Sequence, residues 1–256
     1  LNNEIINEKQ EFVFKGQVIS HGKRMTPLKG IIYGDNGVGK TTLLSASLKP
    51  IIIDMEGNCS HISSPCCRIT KYDDFMALIT SLLVNEHDYK TLVIDSLDSL
   101  QTFILERMSQ QHTTQELSYG KSNAILAKHI KEIVGVLEAL QNKKNMNVLF
   151  TAHWKVKTAN NPMVDQYDRY DMRINEEMRT GFCNWVQFIF LALKEVVFDE
   201  NKDAVFGKKK VKGMERRVLY TAGDPTYYGK NVFNFPPKIM MDWTEITKNV
   251  KKFYDN

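Results

Sequence analysis

The chain has 256 residues, 43% hydrophobic and 25% charged, with a formal net charge of +4. That balance excludes wholesale disorder, and so mild a positive charge does not by itself imply a nucleic-acid partner. No apolar run approaches the ~20 residues needed to cross a bilayer; the longest, Val186 to Leu193, is broken by Gln187 and reads as a buried strand. The polar opening Leu1-Asn2-Asn3-Glu4 carries no legible signal peptide, and the missing initiator Met leads us to expect further residues ahead of it in the natural protein. Cys59, Cys66, Cys67 and Cys183 make no obvious disulfide framework. Three of them lie near His61, but the spacing C-x-H-x4-C-C matches no common zinc finger or ribbon, so they read as free thiols in a loop. Cytoplasmic residence without a membrane partner is expected.

In chain order, Phe12-Val13-Phe14 and Gln17-Val18-Ile19 predict an edge strand or hairpin, and Gly30-Ile31-Ile32-Tyr33 a short buried strand. A helix is expected from about Gly39, carrying Leu43, Leu44 and Leu48 on its inner face and ending before Pro50. Ile51-Ile52-Ile53-Asp54 is β-branched up to its acid, as in a strand covered on both faces. Phe75, Leu78, Ile79, Leu82 and Leu83 have helical spacing, and Thr91-Leu92-Val93-Ile94-Asp95 is another strand ending in an acid. Helices follow at about 97–110 and 120–143, the latter with Ile125, Ile130, Ile133, Val134, Leu137 and Leu140 on one broad face. Asn147 to Ala152 predicts a fourth core strand, and Trp154 to Gly181 a long polar loop. Trp185 to Val197 and Arg216 to Thr221 predict strands joined by a lysine-rich hairpin, and Asp242 to Phe253 a terminal helix.

Strands alternating with helices predict an α/β fold, a largely parallel central sheet flanked by helices and extended by a C-terminal antiparallel hairpin. No repeat, low-complexity tract or Pro/Gly linker marks a boundary. One domain is therefore expected over 1–256, with a core at about 29–243, an edge segment at 1–28 and a terminal helix at 242–256. Right-handed crossovers would align the strand C-termini along one edge, where ligands of α/β sheets bind.

Gly34-Asp35-Asn36-Gly37-Val38-Gly39-Lys40-Thr41 meets the pattern G-x-x-x-x-G-K-[ST] in full, between a strand and a helix. Glycines let backbone N–H groups turn inward and form a concave anion site. With Thr42 included, this segment is the expected nucleotide cradle. Lys40 would reach the β- and γ-phosphates of ATP, and the Thr41 hydroxyl would join the Mg²⁺ shell. Asp95, at its strand end, suits Mg²⁺ held through water. Asp98 reads as a helix-start acid. Either Glu56 or Asp54 could orient the attacking water. His153 is either a γ-phosphate sensor or a hydrogen-bonded structural histidine.

These residues, in this order, resemble the RecA-like P-loop ATPase core, and within it the AAA-type phage and prophage nucleotide-binding proteins that look like a recombinase reduced to its core. Ile53-Asp54-Met55-Glu56-Gly57 is similar to the family's strand and Asp-x-Glu-Gly turn, which favours Glu56 as the catalytic carboxylate. Leu92-Val93-Ile94-Asp95-Ser96 resembles its acid strand, and Thr151-Ala152-His153 its polar sensor. Arg217-Val218-Leu219-Tyr220-Thr221 and Gly229-Lys230-Asn231 resemble its closing strand and basic turn. That likeness implies Lys230, with Arg216 and Arg217 behind it, as a residue acting on a neighbour's nucleotide in a ring or filament. Asn58 departs from the pattern, which often has glycine there.

The resemblance further implies ATP hydrolysis in phage-type recombination or single-strand annealing, beside a single-strand-binding or annealing protein, in a bacterial host's cytoplasm. Single-stranded DNA would then be a partner. Lys208, Lys209, Lys210 and Lys212 could contact phosphates from one hairpin tip. Lys155 and Lys157, among Trp154, Tyr167, Tyr170, Arg169 and Arg173, offer stacking combined with charge. Each segment reads equally as a solvated turn. Two rival readings stand beside this one: an ATPase acting on a protein partner such as a loader or packaging accessory, and a nucleotide-gated interaction module with negligible hydrolysis. No arginine-rich lid suggests a small-molecule kinase.

Overall fold

The β-branched runs bury both faces, so each needs a layer of helices above and below. In the computed structural model, which describes residues 12–14, 17–19, 22–118, 120–160, 165–196 and 215–255, they obtain this in a ten-stranded sheet. The elements are β1 (Phe12–Phe14), β2 (Gln17–Ile19), β3 (Lys29–Gly34), α1 (Lys40–Ser45), β4 (Pro50–Asp54), β5 (Cys66–Arg68), α2 (Tyr72–Val84), β6 (Thr91–Asp95) and α3 (Leu97–Gln111). They continue as α4 (Lys121–Lys144), β7 (Asn147–Ala159), β8 (Tyr167–Met172), α5 (Glu176–Trp185), β9 (Phe188–Val196), β10 (Glu215–Tyr220), β11 (Lys230–Asn231), β12 (Lys238–Met240) and α6 (Trp243–Asp255).

The sheet order is β12-β10-β9-β3-β7-β6-β4-β5, with β11 on β9 and β8 on β7; β1 and β2 form a separate antiparallel pair. From β9 to β5 along that order all pairs are parallel, while the β9–β10, β9–β11 and β10–β12 pairs are antiparallel. β7 thus stands between the strand that feeds the glycine turn and the strand that ends in Asp95.

Period-two alternation divides the core. Ile31, Tyr33, Ile51, Ile53, Leu92, Ile94, Val148 and Phe150 face α2, α3, α4 and α5, whereas Ile32, Ile52, Val93 and Leu149 face α1 and α6. Among the described residues, no helix is long and apolar enough to cross a membrane.

Three expectations are corrected. α1 stops at Ser45, its end closed by the Ala46 N–H on the Leu43 and Leu44 carbonyls; Leu48 falls off the helical spacing and is 64% exposed. The segment expected as a loop from Trp154 to Gly181 is instead the outer half of β7, all of β8 and the start of α5. β7 and β8 pair antiparallel from Trp154↔Met172 to Ala159↔Tyr167 as a ribbon beyond the parallel sheet. The cysteines do not share a loop: Cys59 is buried and begins a 3₁₀ turn, while Cys66 and Cys67 open the edge strand β5.

Gly30 on β3 lies directly under the Phe188 ring, where an added Cβ would sit 2.2 Å from a ring carbon. Phe188 is fully buried and stacks on Phe190, so it has no room to retreat. Gly30→Ala is expected to lower unfolding free energy by about 1–3 kcal/mol, read as a reduced denaturant midpoint at unchanged slope.

Candidate nucleotide-binding site

The parallel register brings the chemistry to one edge. Gly34 pairs with His153 across β3 and β7, and Asp54 with Asp95 across β4 and β6. Between them lies a cleft of about 880 Å³, lined by glycine-turn residues, Glu56, Asp95, His153, Arg173 and Arg217 among others.

Gly39 closes the turn at φ 102°, a conformation that strongly favours glycine. Lys40, only 6% exposed, folds back and donates to the carbonyls of Gly34 at 3.1 Å and Asp35 at 2.9 Å. Burial lowers its pKa, and the charges of Asp95, Glu56 and Asp98 oppose that shift. A cation held near the carboxylates of Asp95, Glu56, Asp98 and Asp35, with neutral carbonyls as its hydrogen-bond acceptors among the described residues, suits an incoming anion.

The Thr41 hydroxyl donates to Asp95 Oδ2 at 2.7 Å, and Thr151 donates to Asp95 Oδ1. Burial raises the Asp95 pKa, with both hydroxyls pulling the other way. A hard hydroxyl oxygen beside a buried carboxylate fits Mg²⁺, which takes oxygen ligands and keeps water around it. Thr41 and Asp95 are the residues that would hold it.

Asp54 and Glu56 have separate jobs in the geometry. Asp54 Oδ1 accepts the N–H groups of Glu56 (3.1 Å), Gly57 (2.6 Å) and Asn58 (3.3 Å), and Oδ2 that of Cys59 (3.2 Å). It is 5% exposed and holds the turn from within. Gly57 carries the left-handed residue at φ 81°, so Asn58, at φ −110°, needs no glycine. Glu56 instead lines the cleft, accepting from the Ser96 hydroxyl at 2.5 Å, with His153 Nδ1 3.5 Å from the same oxygen.

His153 Nδ1 is equally 3.5 Å from Asp98 Oδ2 and closes a hydrogen bond with neither carboxylate. Asp98 does more than start a helix: its carboxylate accepts the His153 N–H at 2.8 Å and Arg173 Nε at 3.0 Å. Burial alone would raise its pKa, but the His153 and Arg173 bonds prevail and hold it below the usual carboxylate value.

Sequence reading missed three contributors here: Ser96, Arg173 and the placement of Arg217. Arg217 Nη1 lies 2.8 Å from where a Cβ on Gly39 would be, so β10 delivers this guanidinium to its own chain's glycine turn. Lys230 is not brought to this cleft. It pairs opposite Ile189 near the start of β9, at the far end of the sheet, and donates to the carbonyls of Cys183 (2.9 Å) and Asn184 (3.2 Å). On the β7–β8 ribbon, Lys155 donates to the Ile174 carbonyl at 3.1 Å and Lys157 lies 3.7 Å from Glu176. Trp154 packs edge-on against Tyr170 at 4.9 Å. Lys208, Lys209, Lys210 and Lys212 lie outside the described residues.

This division of labour predicts opposite phenotypes. Asp54→Ala is expected to cost about 1–3 kcal/mol of stability by stranding four N–H groups, whereas Glu56→Gln stays within about 0.5 kcal/mol; urea unfolding measures both. For Asp98, a lowered folded pKa means a stabilisation complete above about pH 4 and lost as pH falls through the folded value. Arg173→Ala should therefore move the acid limb of unfolding, followed by circular dichroism, to higher pH.

No curated protein matches this chain. A family model described as an AAA domain matches residues 26–233, which include every cleft residue named above. By that match and by the glycine turn set against Asp95, the chain belongs to the AAA domain family of P-loop ATPases.

Proposed function

We propose that this protein hydrolyses ATP, with Glu56 as the residue that activates water. The observation that carries the reading is the position of Glu56. It faces the cleft beside Asp95 and His153, while Asp54 alone takes the backbone contacts of the turn.

In this reading Lys40 exchanges its two carbonyls for the β- and γ-phosphate oxygens, and the turned N–H groups cradle the rest. Mg²⁺, when bound, neutralises charge on those phosphates. Glu56 accepts a proton from water as its oxygen bonds to the γ-phosphorus and the bond to the bridging oxygen breaks. Ser96 fixes the carboxylate that does this. His153, between Glu56 and Asp98, responds to occupancy of the γ-position and transmits it into the outer half of β7. Arg217 places its charge on the phosphates in cis, the task that the family likeness had suggested for a neighbouring subunit.

The cellular setting we infer is phage-type recombination or single-strand annealing, with single-stranded DNA stimulating turnover and subunits assembling head to tail. The ribbon that continues from His153 supports a nucleotide-responsive contact with a partner. One observation favours the rival, a protein partner without DNA contact. Several ribbon and near-ribbon cations are engaged internally: Lys157 with Glu176, Arg169 with Asp171, and Arg173 with Asp98.

Turnover measured with and without single-stranded DNA separates these two; stimulation supports the first, and indifference to DNA the second. Glu56→Gln should keep ATP affinity and lose at least about a hundredfold in turnover; a variant as active as the parent would end the hydrolysis assignment. Lys40→Ala should lose nucleotide affinity by at least about tenfold. Mixing Glu56→Gln with Arg217→Ala should restore no turnover, because a cis arginine leaves every site incomplete; recovery on mixing would place Arg217 in trans.

A further inference from the structure

We propose that Asp54, Cys59 and Cys66 form a binding site for a thiophilic divalent cation of the Zn²⁺ or Cd²⁺ type, adjoining the nucleotide cleft. Their donor atoms all lie within 4.8 Å of one another. Tetrahedral zinc, with bonds of ~2.0–2.3 Å, holds its donors ~3.3–3.8 Å apart, so small side-chain movements complete the set. None of the three residues lines the cleft itself.

The carboxylate is oriented in advance. Asp54 Oδ1 is taken by three N–H groups, but among the described residues Oδ2 receives only the Cys59 N–H and keeps a lone pair. Such outer hydrogen bonds fix a ligand's direction. Arg68 Nη1 stands 3.5 Å from Oδ1. Two thiolates, one carboxylate and a dication sum to −1, which this guanidinium offsets. Cation binding sends two thiol protons to solvent.

Access and selectivity follow from the strand. Cys66 is exposed on the edge strand β5, whereas Cys67, its neighbour on the opposite face, packs against the core beneath α2. His61 is exposed and outside the group. The site is therefore neither the four-residue cluster that the spacing evoked nor a second magnesium site, since two sulfurs disfavour hard cations. Cys59 Sγ also lies 4.0 Å from Asp95 Oδ2, so the cation would sit one residue behind the acid of the cleft.

The test is titration of the reduced, nucleotide-free full chain with Cd²⁺ alone, following thiolate-to-metal charge-transfer absorbance in the near ultraviolet. A single saturating equivalent is expected, displaced by Zn²⁺. Cys66→Ser should weaken binding at least about tenfold, while Cys67→Ser and Lys40→Ala keep it. Absence of the band, a Cys66→Ser protein that binds like the parent, or equal loss in Cys67→Ser would overturn the site. Retention in Lys40→Ala makes the result independent of the nucleotide assignment, and circular dichroism verifies that each variant is folded.

Discussion

Parallel register is the constraint on which everything else rests. Gly34, His153, Asp54 and Asp95 meet because β3, β7, β6 and β4 are paired so that their chemistry-bearing residues fall at one edge. The strands are locked by burial on both faces, Ile32 and Leu149 below and Ile31 and Phe150 above. A slip of one residue would exchange those faces and turn His153 away from Glu56. The apolar interior thus fixes the position of the polar groups at the strand ends.

Those polar groups are balanced locally. Glu56 and Asp95 line the cleft with Asp98 behind His153 and Arg173, and the cations that line it are Lys40, Arg173 and Arg217. Only Arg173 is committed to a carboxylate, that of Asp98, among the contacts described. Lys40 rests on neutral carbonyls, and Arg217 reaches over Gly39. Hydroxyls from Thr41, Thr151 and Ser96 take up acceptor capacity on Asp95 and Glu56 without cancelling charge. The arrangement leaves positive charge available at the glycine turn and negative charge where the proposed reaction would need a metal and a water.

Much of this was legible because parallel strands and glycine turns have strong local signatures. Ile51 to Asp54 and Thr91 to Asp95 announce themselves by β-branching and a terminal acid, and Gly34 to Thr41 by spacing. The β7–β8 ribbon was not legible, since Lys155 and Lys157 against Trp154 and Val156 alternate weakly and parts of both faces are wet. The start of α5 did leave a signal: Asn175 accepts the Met178 N–H and is followed by Glu176 and Glu177, a helix-start pattern inside a segment dismissed as loop. Arg217 and Lys230 could not be placed from local sequence. Which end of a sheet an antiparallel strand presents depends on pairings, Arg217 opposite Lys194 and Lys230 opposite Ile189, that no short window contains.

β7 is one uninterrupted strand of 13 residues, half inside the sheet and half beyond it. From His153 to Ala159 it extends about 20 Å, braced by β8 along that length. A tilt of about 10° at its root would carry the tip of such a length ~3.5 Å, by the same rise per residue. Under the proposed function, a change beside Glu56 and Asp98 would then be felt at a surface remote from the nucleotide cleft.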